Sequence, residues 1–97
     1  MLTFNLKKKF YEMIINNEKH SEYRYVGDYW SSRLKNLRKG DKIKFVKGYT
    51  NEGVIAEFTG LDLLTYEQLP KHAKSIFLDK KTLWYKINFK LLERFND

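Results

Sequence analysis

The sequence predicts an α+β domain built on a small, strongly bent, mostly antiparallel β-sheet. The sheet is expected to close, or nearly close, into a barrel with two to three short helices at its ends. Three observations predict this. The strand-like stretches are short and closely spaced, helical stretches fall between them, and one stretch near the C-terminus alternates with strict period two. At 97 residues the chain is one domain, 1–97, large enough for a single core. Its 42% apolar and 16% aromatic content are those of a folded protein. No repeat, linker or low-complexity segment interrupts it, so it is expected to be a complete unit.

Leu2, Phe4 and Leu6 alternate with Thr3 and Asn5, as in a short strand with one buried face. From Lys7 the period changes. Leu6, Phe10, Met13, Ile14 and Asn17 follow helical spacing and predict a helix over Lys7–Asn16. Lys7, Lys8 and Lys9 oppose the dipole in its first turn, as a solvated charge run or as an end that faces a phosphate. Asn17 tolerates the left-handed conformation that stops a helix. A strand over Lys19–Val26 follows, with His20, Glu22, Arg24 and Val26 on one face and Lys19, Ser21, Tyr23 and Tyr25 on the other. Glu22 and Arg24 therefore point the same way, about 7 Å apart along the backbone. Lys19 joins them only if the chain bends at the turn.

Asp28 is placed as the N-cap of a second helix, Tyr29–Leu37, with Trp30, Leu34 and Leu37 on one face. Lys39-Gly40-Asp41 makes a turn. Ile43 and Phe45 then face the core from a strand whose other side shows Lys42, Lys44 and Val46. Gly48, Asn51 and Gly53 mark a hairpin into a strand over Val54–Thr59. Thr65 and Gln68 resemble a capping box, and Pro70 suits the first turn of a short helix over Lys71–Leu78. The last strand is the clearest, with Leu83, Tyr85, Ile87, Phe89 and Leu91 apolar at consecutive odd positions. Its other face carries Trp84, Lys86, Asn88 and Lys90. Either a base stacks there on the tryptophan between phosphate-holding lysines, or the second helix covers it.

Charge and composition narrow the function classes. The net charge is +7, and residues 25–50 hold seven basic groups against two acidic ones. The basic groups are Arg33, Lys35, Arg38, Lys39, Lys42, Lys44 and Lys47. Such a patch concentrates polyanions, so RNA or a nucleotide-like anion is the expected partner, against the plainer reading of a lysine-rich solvated surface. No apolar run approaches the roughly 20 residues that span a bilayer, and no leader-like start is present, so no membrane partner is expected. Without cysteine there are no disulfides or thiolate metal sites, which fits a cytoplasmic location. His20 and His72 are too few and too isolated for a metal site. Neither a Ser-His-acid constellation nor a Gly-rich phosphate loop is present, and no cofactor is expected.

Lys19, Glu22 and Arg24 are the candidate site. The planar fork of Arg24 suits a phosphate or carboxylate. Glu22 is a candidate general base or acceptor for a base-edge amino group, and Lys19 a candidate for neutralising phosphate or a developing oxyanion. Lys19 and Glu22 are the catalytic candidates if the protein is an enzyme. Tyr25, Trp30 and Tyr49 are the stacking candidates, worth about 1–3 kcal/mol per base where geometry allows. The plain alternative is a solvent-facing Glu22–Arg24 ion pair worth about 0–1 kcal/mol.

Lys9-Phe10-Tyr11, Ile14, Asn17, Lys19, Glu22 and Arg24, followed by a basic stretch and Gly40-Asp41-Lys42-Ile43-Lys44-Phe45, resemble the ASCH domain family. The likeness in order and spacing runs from about Phe4 to Phe45, and the closing strand Trp84–Leu92 is similar; residues 50–82 carry no alignable motif. The resemblance implies a PUA-like β-barrel and a cavity between barrel and helices lined by Lys19, Glu22 and Arg24. It also implies binding of RNA or nucleotides, and some relatives are hydrolases of RNA or of acylated modified nucleosides. Two positions depart from the family pattern, Asn17 for the usual glycine and His20 for the usual threonine. A branch of small amidohydrolases uses a threonine nucleophile where this chain has Glu22. The functions to be weighed are therefore an RNA- or nucleotide-binding module, a hydrolase acting on RNA or a modified nucleoside, and a protein-interaction module of a phage or mobile element.

Overall fold

The computed structural model describes residues 1–74 and 83–96. Strand β1, Leu2–Leu6, leads into helix α1, Lys8–Ile15, and strand β2, Ser21–Tyr25. Helix α2, Asp28–Leu34, precedes the antiparallel strands β3, Lys42–Lys47, and β4, Glu52–Leu64. A 3-10 turn at Tyr66–Gln68 and helix α3, Lys71–Lys74, come before β5, Trp84–Asn96.

The five strands form one sheet in the order β1-β3-β4-β5-β2. Only the β1–β3 pair is parallel. The expected barrel is not closed: among the described residues no ladder joins the edge strands β1 and β2. Instead the Arg24 guanidinium crosses the gap, its Nη2 donating to the Asn5 carbonyl at 3.3 Å. A side chain spans the place where a ladder would have closed the sheet.

Alternation explains the main core. Phe4, Leu6, Ile43, Phe45 and Val54 turn inward from β1, β3 and β4, where Tyr11 and Ile14 of α1 and Leu34 of α2 cover them. The predicted stripe of α1 holds at Phe10 and Ile14, but Tyr11, which the spacing does not single out, completes the buried face while Met13 is only half-buried; Asn17 ends the helix at φ 63°. The second helix is shorter than expected and begins one residue earlier. Gly27 occupies the cap position, Asp28 is already helical, and the last helical residue is Leu34 rather than Leu37. Leu37 still reaches the core, through a turn in which its N–H donates to the Leu34 carbonyl. Gly40, at φ +97°, supplies the left-handed residue of the turn into β3.

β4 is more than twice the expected Val54–Thr59, because it pairs with β5 from Glu52 to Leu64. Gln68 Oε1 accepts from the Thr65 N–H at 2.8 Å, the contact of the anticipated cap, but the turn it starts is 3-10. Residues 75–78 of the expected helix Lys71–Leu78 lie outside the described residues. Trp84 is fully buried with Leu69 and Ala73 in a second small cluster on the outer face of the sheet. The stacking surface expected there does not exist, and the covering element is α3 with the 3-10 turn rather than α2.

Candidate functional site

The site forms where the sheet stays open. Asn17 turns the chain back at the end of α1, and the N–H groups of Glu18 and Lys19 both donate to the Met13 carbonyl, at 2.8 and 3.1 Å. Lys19 therefore lies before the strand, free of its alternation, and swings onto the Glu22 side. The bend that the sequence required is present.

Glu22 is the hub. Its Oε1 lies 2.9 Å from Lys19 Nζ and its Oε2 lies 2.7 Å from Arg24 Nη2. Side-chain exposure is 3% for Lys19, 5% for Glu22 and 22% for Arg24, so this is no solvent-facing ion pair. Two cations share one carboxylate, leaving one positive charge in excess. The Arg24 guanidinium also lies 5.5 Å from the Phe4 ring centre and 5.1 Å from that of Trp30, within cation–π range of both. Its Nε is buried and has no hydrogen-bond partner among the described residues.

A cavity of about 180 Å³ opens beside the three, lined by Asn5, Leu6, Lys7, Phe10, Lys19, Glu22, Tyr23, Arg24, His72 and Ala73. Lys19 Nζ sits between aromatic walls, 5.6 Å from the Phe10 ring centre and 5.2 Å from that of Tyr23. The His72 ring lies 5.9 Å from both of those rings. Burial, then the Lys19 ammonium, hold His72 below its ordinary pKa of 6.5, with Glu22 opposing. Burial pushes the Tyr23 phenol up. Both rings are thus neutral at pH 7, and the field in the cavity comes from Lys7, Lys19 and Arg24 against Glu22.

Of the residues singled out in the sequence, Lys19, Glu22 and Arg24 come together on this cavity. Trp30 lies behind Arg24, stacked on Phe4 at 5.1 Å, and does not line it. Tyr25 packs against Trp84 at 5.5 Å, and Tyr49 stands 98% exposed on the β3–β4 turn. The basic patch divides. Arg33 lies on the Tyr29 ring at 3.4 Å, Lys44 on the Phe95 ring at 4.7 Å, and Lys47 pairs with Glu52 at 2.9 Å. Lys42 stands opposite Glu57 across the ladder, while Lys35, Arg38 and Lys39 are exposed on the connection between α2 and β3. Sequence reasoning missed Asn5, Leu6, Lys7, Phe10, Tyr23, His72 and Ala73 as cavity residues. Phe10 belongs to the helix stripe that the spacing predicts, but no local pattern ties His72 to a strand half the chain away.

Four solved chains match the fold. A hypothetical protein, PH0355, superposes over 94% of this chain and 98% of its own at TM-score 0.64 and 16% identity. Two mutant forms of ZmASCH from Zymomonas mobilis superpose over 97% of this chain and 72% and 73% of theirs, both at TM-score 0.66 and 9% identity. No family model and no curated protein matches the sequence. The fold is ASCH-type, an α+β architecture with its sheet left open at one seam.

Proposed function

We propose that this chain binds a nucleotide-like anion, free or as part of RNA, in the cavity beside Arg24. The observation that carries the reading is the buried Lys19–Glu22–Arg24 cluster. Its geometry fixes an excess positive charge at the wall of a small cavity flanked by aromatic rings. The ASCH-type fold supports a nucleic-acid-related role. Binding is favoured over hydrolysis because both Glu22 oxygens are already engaged by cations, Oε1 by Lys19 and Oε2 by Arg24, which leaves neither free to meet a substrate.

The test is binding of short labelled RNA and of nucleoside monophosphates, by anisotropy and by calorimetry, at two salt concentrations. Affinity falls as salt rises. Arg24→Ala weakens it at least about thirtyfold, and Arg24→Lys, which keeps charge but loses the fork, falls between. Salt-independent binding that survives in a folded Arg24→Ala variant overturns the proposal.

A further inference from the structure

We infer that the cavity takes one unpaired nucleobase edge-on and reads it through the main-chain N–H and C=O of Tyr23. The inference rests on the reading of the cavity as a nucleotide site and names the group that enters it.

In an antiparallel ladder alternate residues turn both main-chain groups toward the neighbour. On the β5 side, Val26 N–H donates to the Leu83 carbonyl at 3.1 Å, and the His20 carbonyl accepts from Phe89 N–H at 3.3 Å. The even residues of β2 therefore face β5, and Tyr23 turns its N–H and C=O to the open seam. On β1 the Leu6 carbonyl accepts from Gly48 N–H at 2.7 Å, so the main chain of Asn5 also turns toward the seam. The Asn5 carbonyl meets Arg24 there. Both Asn5 and Tyr23 line the cavity.

Main-chain donors and acceptors that no neighbouring strand satisfies are offered to a ligand that carries the matching pair. The buried Arg24 Nε, without a partner among the described residues, is a further donor beside them. At about 180 Å³ the cavity is below the roughly 300 Å³ where sites for drug-sized ligands begin, a size for one ring system. Phe10 and the His72–Ala73 pair bound it, a shape for a short flat group rather than an added peptide strand.

Each standard base carries a donor beside an acceptor on its pairing edge: uracil N3–H beside O4, guanine N1–H beside O6, adenine N6–H beside N1, cytosine N4–H beside N3. One strand N–H/C=O pair matches any of them, so the site requires an unpaired base without requiring a particular one. Lys7 and Arg24 are then left for the phosphate.

The test is calorimetric titration of the full chain with uridine 5′-monophosphate, adenosine 5′-monophosphate and N3-methyluridine 5′-monophosphate. The two unmodified nucleotides bind alike, and the N3-methyl compound binds about tenfold more weakly or worse. Tyr23→Pro removes the seam-facing N–H while sparing the β2–β5 ladder, whereas Tyr23→Ala removes the ring and keeps the N–H. The proline variant binds the more weakly of the two. Equal affinity for methylated and unmethylated uridine nucleotides, both lost in Arg24→Ala, overturns this inference and leaves the anion site standing. Inorganic phosphate that binds as tightly as the nucleotides overturns it in the same way. No binding of any nucleotide to the folded chain overturns both readings.

Discussion

The buried ion cluster turns on Glu22. Its carboxylate is the shared partner of two cations, one of them almost wholly buried. Removing one member of a buried ion pair costs about 3–5 kcal/mol, because the remaining charge stays desolvated and unpaired. Glu22→Gln is expected to destabilise by that amount in urea unfolding. Lys19→Met is expected to cost less, since Oε2 keeps Arg24 and the methionine fills the space between Phe10 and Tyr23. An equal or reversed order would show that Glu22 is not the hub. The convergence was legible in part. Period two puts Glu22 and Arg24 on one face, and Asn17 announces a turn, but the swing of Lys19 depends on two N–H groups meeting one carbonyl. The stacking residues were not legible. Trp30 and Tyr25 are both aromatic and near the motif, yet neither lines the cavity, because α2 packs Trp30 on Phe4 and Tyr25 packs on Trp84.

Among the elements, the β4–β5 pair sets the frame, and its irregularities explain where alternation misled. The ladder shifts register between Ile55 and Ala56 and again between Phe58 and Gly60. Each shift adds a residue on one strand, bends it and increases its twist. Tyr85, Ile87 and Phe89 keep the inward face that period two assigned, but Leu83 and Leu91 at its ends are exposed. Trp84, on the polar-looking face, is buried because a separate segment returns to cover it, and alternation along one strand carries no information about that. At the far end Gly53 makes the pairing possible. A Cβ there would collide with the Phe95 ring and the Phe45 carbonyl oxygen. The backbone oxygen cannot move without the β3–β4 ladder, so Gly53→Ala is expected to cost about 1–3 kcal/mol as an overpacking change. Thermal unfolding checks it, with Phe95→Ala/Gly53→Ala as the second variant. A double variant no better than the sum of the singles would show that the ring is not the obstacle.

At the scale of the molecule, closure and charge act together. The sheet curls until its edge strands face one another, and the remaining gap becomes the cavity, bridged by Arg24. The fold class was legible from spacing and alternation, whereas closure was not, since it depends on which side chain occupies the seam. The charge excess was legible as a total and misleading as a patch. Arg33, Lys44 and Lys47 are held against Tyr29, Phe95 and Glu52, which leaves Lys35, Arg38 and Lys39 as the exposed run before β3. If RNA extends from the cavity over this run, each cation that meets a phosphate contributes about 0.7 to the slope of log K against log salt for a single strand. The triple variant Lys35→Gln, Arg38→Gln, Lys39→Gln is then expected to lower that slope by about two and to weaken RNA binding at low salt. Mononucleotide affinity is expected to stay unchanged, because none of the three lines the cavity. An unaltered slope would place the strand elsewhere, and a loss of mononucleotide binding would mean that the run acts on the cavity itself.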